Sequence, residues 1–120
     1  METVTKQKTL NYINGQLLNG TDRWLDVISP LTGETLSTVC LSGYEDVDNA
    51  VKSAQAAFPE WSGKTLKERV QIFFKFRSLL EANMQELIDL VHLENGKTRA
   101  EAKAEVDKGI ELCEFACSLP

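Results

Sequence analysis

Apolar residues in the first third of the chain recur with a period of about two, which is typical of short strands. In residues 11–18, two apolar pairs flank Asn14-Gly15, and this dipeptide favours the positive φ angles of a tight hairpin turn. Two further β-rich segments, residues 24–29 and 35–41, are separated by a turn that contains Pro30 and Gly33. The pattern predicts two β-hairpins in residues 10–41, after a flexible N-terminal arm of residues 1–9.

From Ser42 onward the apolar spacing changes to three and four, which predicts amphipathic helices. We expect Pro59 to end the first helix near Phe58, because proline disrupts a helix interior. Asn83 is expected to cap a helix of residues 84–95, which Gly96 closes in the left-handed conformation. Each of three sequences can begin a helix with reciprocal side-chain and backbone hydrogen bonds, a capping box: Ser42-x-x-Glu45, Thr65-x-x-Glu68 and Thr98-x-x-Glu101.

The predicted fold class is therefore α+β, with two hairpins followed by a four-helix segment in residues 42–120. We find no strand–helix–strand pattern, so we expect no parallel sheet from these residues alone. Phe73, Phe74 and Phe76 widen the apolar stripe of the second helix, which predicts a strongly buried element with two apolar faces. Four short helices cover such faces poorly for one another.

Length and composition narrow the class of protein. With 120 residues, of which 42% are apolar, the chain is the size of one domain with a core. A net charge of −5, with 13 basic residues interspersed among 18 acidic ones, argues against nucleic acid or an anionic membrane as a partner. The sequence lacks an apolar run of roughly 20 residues and a secretory start. We therefore expect a cytoplasmic protein with reduced cysteines.

Few residues are candidates for chemistry. Cys113 and Cys117 are spaced for one helix face, but a zinc site needs about four ligands and His92 falls on another helix. These two residues are therefore interpreted as core cysteines, Cys40 as a small residue that closes a strand, and His92 as a boundary residue. Acidic residues concentrate toward the C-terminus, where we expect a cap at Glu101, a Glu105–Lys108 pair and otherwise a solvated face: Glu94, Glu101, Glu105, Glu111 and Glu114. No glycine-rich phosphate loop is present.

Several collinear motifs resemble the N-terminal portion of the aldehyde dehydrogenase superfamily. The resemblance covers about residues 10–120 and is greatest to the methylmalonate-semialdehyde dehydrogenase branch, which is CoA-acylating and NAD-dependent. The first motifs are Tyr12-Ile13-Asn14-Gly15, Ser29-Pro30-Leu31-Thr32-Gly33-Glu34, Asp46-Val47-Asp48-Asn49-Ala50-Val51 and Ala54-x-x-Ala57-Phe58-x-x-Trp61. The branch is indicated by Leu93-Glu94-Asn95-Gly96-Lys97-Thr98 and by the residues from Glu101-Ala102 to Ser118.

The resemblance implies a single truncated domain, a fragment of the family's α/β fold. The cysteine nucleophile, the glutamate base, the oxyanion asparagine and the cofactor loop of the family all lie beyond Pro120. No catalytic, cofactor-binding or metal-binding residue is therefore assigned here; Ile28 and Glu105, the nearest matches to a structural cation site of some members, stay unassigned. We expect an inactive fragment whose partner is the remainder of a homo-oligomeric enzyme that uses NAD and CoA. The alternative is a stand-alone helical interaction module derived from that family.

Overall fold

The computed structural model describes residues 7–120. The described residues divide into two compact units, one that ends at Pro59 (unit 1) and Glu60–Pro120 (unit 2). Within the described residues, short strands are followed by four helices, so the α+β prediction is confirmed. The strands are β1 (Gln7–Thr9), β2 (Asn11–Ile13), β3 (Gln16–Leu18), β4 (Trp24–Ile28) and β5 (Thr35–Cys40). The helices are α1 (Tyr44–Gly63), α2 (Leu66–Ala82), α3 (Met84–Asn95) and α4 (Arg99–Cys117). The grouping of all residues into a single domain stays a prediction.

Both predicted hairpins are present in unit 1. Strands β2 and β3 pair antiparallel around Asn14 (φ 52°) and Gly15 (φ 75°), the positive φ angles that a type I′ turn requires. Strands β4 and β5 also pair antiparallel, with an irregularity between Val27 and Ile28. In the turn between them, the Ser29 carbonyl oxygen accepts the Gly33 N–H at 2.8 Å. The sequence chemistry of these turns therefore determines which strands pair.

The prediction that no parallel pairing occurs is wrong. Strand β1 pairs parallel with β5, with Gln7 opposite Ser37 and Thr9 opposite Val39. A parallel pair needs a connection of a dozen or more residues, usually a helix, and here the segment with β2, β3 and β4 provides that length. The prediction of a flexible N-terminal arm is therefore wrong for residues 7–9, because these residues form a strand. The rest of the predicted arm lies outside the described residues.

Helix α1 differs from the prediction at both ends. It begins at Tyr44, and the Asp46 carboxylate accepts the Gly43 N–H at 2.7 Å. The Ser42 hydroxyl instead accepts a hydrogen bond from the Asn11 amide at 2.8 Å, so the predicted Ser42/Glu45 capping box is wrong by one residue. The helix also continues through Pro59 to Gly63. Proline cannot donate a backbone hydrogen bond to the preceding turn, yet the helix tolerates that loss four residues before its end.

The helices of unit 2 begin and end close to where the sequence places them. Both capping boxes that start with threonine, Thr65/Glu68 and Thr98/Glu101, are complete, and Gly96 closes α3 with φ 70°. Asn83 makes no side-chain cap for α3. Its amide instead donates to the Leu79 carbonyl oxygen at 2.8 Å, so Asn83 satisfies the end of α2 and its predicted role at the start of α3 is wrong.

The core of unit 2 lies along α4, which packs against both α2 and α3. Its buried side chains come from all three helices: Val70, Ile88, Ala102, Ile110 and Cys113. The predicted burial of α2 on two faces is not found within this chain, since Phe73, Phe74 and Phe76 are 40%, 49% and 51% exposed. One apolar face of α2 is therefore partly buried against neighbouring helices, and much of the other face is exposed. The width of its apolar stripe indicates such an exposed face.

Candidate functional site

The junction between α3 and α4 contains the most recognisable part of the sequence, residues 93–102. The polar groups of this junction form hydrogen bonds that end α3 and begin α4. The Gly96 N–H donates to the His92 carbonyl oxygen at 3.0 Å. His92 Nδ1 donates to the Lys97 carbonyl oxygen at 2.5 Å, because a carbonyl can only accept. His92 is half-buried, which agrees with its interpretation as a boundary residue.

Two ion pairs connect the residues on either side of this junction. Arg99 at the start of α4 pairs with Asp89 of α3, and Lys97 pairs with Glu105. The hydrogen bond from Arg99 lowers the pKa of Asp89 below its usual value. The predicted pairing of Glu105 with Lys108 is wrong, since Lys108 pairs with Glu111 at 2.5 Å. The carboxylates of α4 therefore pair with lysines or an arginine or cap the helix, and we assign them no catalytic role.

The three cysteines have no activated nucleophile among them. Cys40 and Cys113 are buried, and the Cys113 thiol donates to the Phe73 carbonyl oxygen at 3.4 Å. Loss of solvation raises the pKa of the Cys117 thiol, and the nearby Cys113 raises it further, which favours the unreactive protonated form. Among the described residues no group of three or more His, Cys, Asp or Glu side chains could hold a metal ion.

At three of the four helices that the structure describes, the N-terminus does not suit the phosphate of a dinucleotide. Such a site needs free backbone N–H groups at the positive end of a helix. At α2 and α4 these groups face the chain's own carboxylates, Glu68 and Glu101, and at α1 the Gly43 N–H is bonded to Asp46. These carboxylates would repel a phosphate at the starts of α1, α2 and α4.

The cavity of unit 2 with the most apolar lining is the strongest candidate for a binding surface. It has a volume of about 320 Å³ and is lined by the last turn of α1, the first half of α2 and the end of the chain: Trp61, Leu66, Arg69, Val70, Phe73, Ala116, Leu119 and Pro120. Trp61 therefore lies beside the ends of helices. A cavity this size falls at the lower end of the range for small-molecule pockets.

Arg69 is the charged residue of that cavity wall, and the sequence analysis did not identify it. Its Nε is buried and makes no hydrogen bond to any described residue. A buried donor without an acceptor costs about 1–3 kcal/mol, and more on a charged group. One signal was available in the sequence, since Arg69 is embedded in the apolar stripe formed by Leu66, Val70 and Phe73.

Arg77, which also belongs to α2, lies beside a second cavity of about 340 Å³. This cavity is lined by Phe74, Arg77, Glu114, Cys117 and Ser118. The Nε of Arg77 is likewise buried without an acceptor in the described residues. Its terminal nitrogens, however, pair with Glu81 at 3.1 Å and with Glu114 at 3.8 Å. The Arg77 guanidinium is therefore compensated within the chain.

The two complete capping boxes predict a pH dependence of stability. The Thr98 hydroxyl and the Thr98 backbone N–H donate to the Glu101 carboxylate and lower its pKa. Because that pKa is lower in the folded state, the stabilisation is present above the unfolded value of about 4.3 and is lost as the pH falls through the folded value. We expect Glu101→Gln to lower the urea midpoint near neutral pH and to have little effect about two units below pH 4.3.

The matched control for this measurement is Glu94→Gln, at an exposed residue of α3 for which the structure shows no capping hydrogen bond. The control should match the unsubstituted chain at both pH values. An equal loss of stability by Glu101→Gln at both pH values would contradict the role of the ionised carboxylate.

Solved structures with the same fold come from proteins that oxidise aldehydes. The methylmalonate-semialdehyde dehydrogenase of Oceanimonas doudoroffii matches with a TM-score of 0.91 and 35% identity over 95% of this chain and 23% of its own. An NAD-dependent benzaldehyde dehydrogenase of Corynebacterium glutamicum matches with a TM-score of 0.89 and 28% identity over 93% of this chain and 25% of its own. The fold is thus that of a segment of an aldehyde-oxidising dehydrogenase.

The model of the aldehyde dehydrogenase family matches residues 18–120. The chain belongs to the aldehyde dehydrogenase family. Among its relatives, the malonate-semialdehyde dehydrogenase of Bacillus velezensis is 45% identical over 95% of this chain, and that of Bacillus subtilis strain 168 is 43% identical over the same share. The chain spans 24% of the length of each of these two relatives. Among the described helices, none has the length and apolar character that a membrane crossing requires.

Proposed function

We propose that this chain is the N-terminal quarter of an NAD-dependent, CoA-acylating dehydrogenase that oxidises malonate or methylmalonate semialdehyde to an acyl-CoA. The observation that supports this proposal is that the chain matches such enzymes both in sequence and in fold. The chain is 45% identical to the malonate-semialdehyde dehydrogenase of Bacillus velezensis, and its fold matches a methylmalonate-semialdehyde dehydrogenase with a TM-score of 0.91. A small semialdehyde is therefore the proposed substrate class.

In this proposal the present residues support the enzyme and do not perform its chemistry. No activated thiol or metal cluster is found among the described residues, and the N-termini of α1, α2 and α4 face carboxylates of the chain itself. NAD and CoA would be bound by residues that lie outside this chain, where the family resemblance also places the catalytic cysteine. Homo-oligomerisation of the longer protein and a cytoplasmic location are parts of the same proposal and rest on that resemblance.

A fusion tests this proposal. The chain replaces the matching segment of the Bacillus subtilis malonate-semialdehyde dehydrogenase, to which it is 43% identical. We expect the purified fusion to form NADH from malonate semialdehyde in the presence of CoA, because this segment would support the remaining three quarters of the relative as its own does. The measurement is the rate of NADH formation by absorbance.

The control is the 120-residue chain alone, for which we expect no NADH formation and no saturable NAD isotherm in calorimetric titration. A folded but inactive fusion would contradict the proposal, and would favour the rival function of a stand-alone helical interaction module, for which the uncovered helix faces are also suitable. A saturable NAD isotherm of the chain alone would show that the cofactor site had been wrongly placed outside it.

A further inference from the structure

Arg69 lies in an apolar cavity wall without an acceptor for its buried Nε. Any occupant of this cavity must therefore be largely apolar and must also bring one hydrogen-bond acceptor. The Leu66 and Leu119 side chains at the cavity are 57% and 69% exposed, so the apolar surface continues beyond it. This extent favours a covering segment of polypeptide over a small molecule, which would leave the surrounding leucines in water.

The comparison with Arg77 makes Arg69 distinctive. Both residues belong to α2 and both have a buried Nε without an acceptor in the described chain. Arg77 has carboxylate partners for its terminal nitrogens, whereas the structure shows no ion pair or hydrogen bond for the Arg69 side chain among the described residues. Arg69 therefore has the greater need of a partner from outside them.

We propose that this cavity receives an apolar segment from the remainder of a longer dehydrogenase chain, and that a carbonyl or carboxylate oxygen of the segment accepts the Arg69 Nε–H. The inference rests on the proposed function, because relatives are about four times as long as this chain. The inference adds to that function a specific contact, the hydrogen bond of Arg69, which anchors the covering segment. Apolar side chains of the segment would fill the space between Trp61 and Leu119, and Arg69 would fix the position of its backbone or of an acidic residue.

The anchor predicts that Arg69→Leu has opposite effects in two contexts. In the chain alone, leucine removes a donor without an acceptor from an apolar wall, so the thermal midpoint should stay the same or rise. In the fusion with the Bacillus subtilis enzyme, the same change leaves the acceptor on the covering segment unpaired. We expect the fusion to lose activity roughly ten times faster at a fixed elevated temperature.

Lys67→Leu is the matched control, because Lys67 is an exposed cation two residues away on the same helix. It removes the same charge and should change the inactivation rate of the fusion by less than about twofold. Arg69→Lys, which keeps the charge but not the planar Nε–H, should give an intermediate rate. Comparison of these three variants separates the effect of the Arg69 hydrogen bond on the inactivation rate from the effect of the net charge.

Failure of this inference can be told from failure of the proposed function. An active fusion in which Arg69→Leu and Lys67→Leu inactivate at the same rate would overturn the anchor and leave the proposed function intact. A folded fusion without activity would overturn both. A clear rise in the thermal midpoint of the chain alone with sodium decanoate, lost in Arg69→Leu, would also overturn the inference, because the cavity would then take a free amphiphilic carboxylate.

Discussion

Replacement of Ile110 by alanine is expected to destabilise unit 2 by about 2–5 kcal/mol, because deletion of a buried aliphatic side chain adds a cavity to the lost transfer free energy. Ile110 is 8% exposed on the side of α4 that faces the other helices, where Ala102 and Cys113 are also buried. Few other side chains of this unit are buried, so the loss is a large part of its total stability. We expect the urea midpoint to fall steeply, or the unit to unfold without denaturant.

The control for this measurement is Leu112→Ala, two residues away on the same helix. Leu112 is 62% exposed, so its truncation should change stability by less than about 0.5 kcal/mol. Equal losses from Ile110→Ala and Leu112→Ala would contradict the assignment of the core to one side of α4.

Local sequence chemistry was sufficient to predict most element boundaries. Thr65 and Thr98 begin helices because, in each capping box, the threonine and glutamate side chains satisfy two backbone N–H groups. Gly96 ends a helix because it adopts positive φ without strain. Each of these features depends only on neighbours along the chain. The fold class could therefore be predicted from sequence before any tertiary contact was known.

Three of the wrong predictions involve a choice between alternatives that the sequence alone leaves open. At the start of α1, the Ser42/Glu45 cap pattern overlaps with the Gly43/Asp46 pattern. The hydrogen bond from Asn11 to Ser42 favours the Gly43/Asp46 pattern. Asn83 can satisfy either of two adjacent helices, and it donates to the earlier one. The parallel pairing of β1 with β5 joins residues about thirty positions apart, which local patterns do not encode. Tertiary contacts, rather than propensity, decided these cases.

The environments of several side chains could be predicted from the sequence. Cys40 closes β5, Cys113 is buried and His92 is a boundary residue, as interpreted. Cys117, interpreted as a core cysteine, is only partly buried. The Arg69 cavity was not predicted, because it forms between α2 and residues near the C-terminus that are far apart in sequence. The aromatic stripe of α2 did predict uncovered apolar surface, since its width exceeds what a neighbouring short helix can bury.

That uncovered surface predicts that the chain alone associates and binds hydrophobic dyes. The exposed large side chains of α2 and α4 include Phe74, Phe76, Leu112 and Phe115. Because these side chains are 49–64% exposed, burial of the exposed part would stabilise each by roughly 1–2 kcal/mol. Monomeric proteins seldom expose extensive apolar patches. Self-association of the chain would bury part of this surface. A variant with Leu112→Glu and Phe115→Glu should associate less and bind less dye, since it places two charges on the exposed side of α4.

We infer that the helices present apolar faces whose partners are not among the described residues. Sedimentation velocity of the purified chain, with the fluorescence of a hydrophobic dye measured on the same sample, is the test of this inference. We expect species larger than a monomer together with a strong rise in dye fluorescence, both reduced in the doubly charged variant. A monodisperse monomer that leaves the dye dark and unfolds in one sharp thermal transition would contradict it.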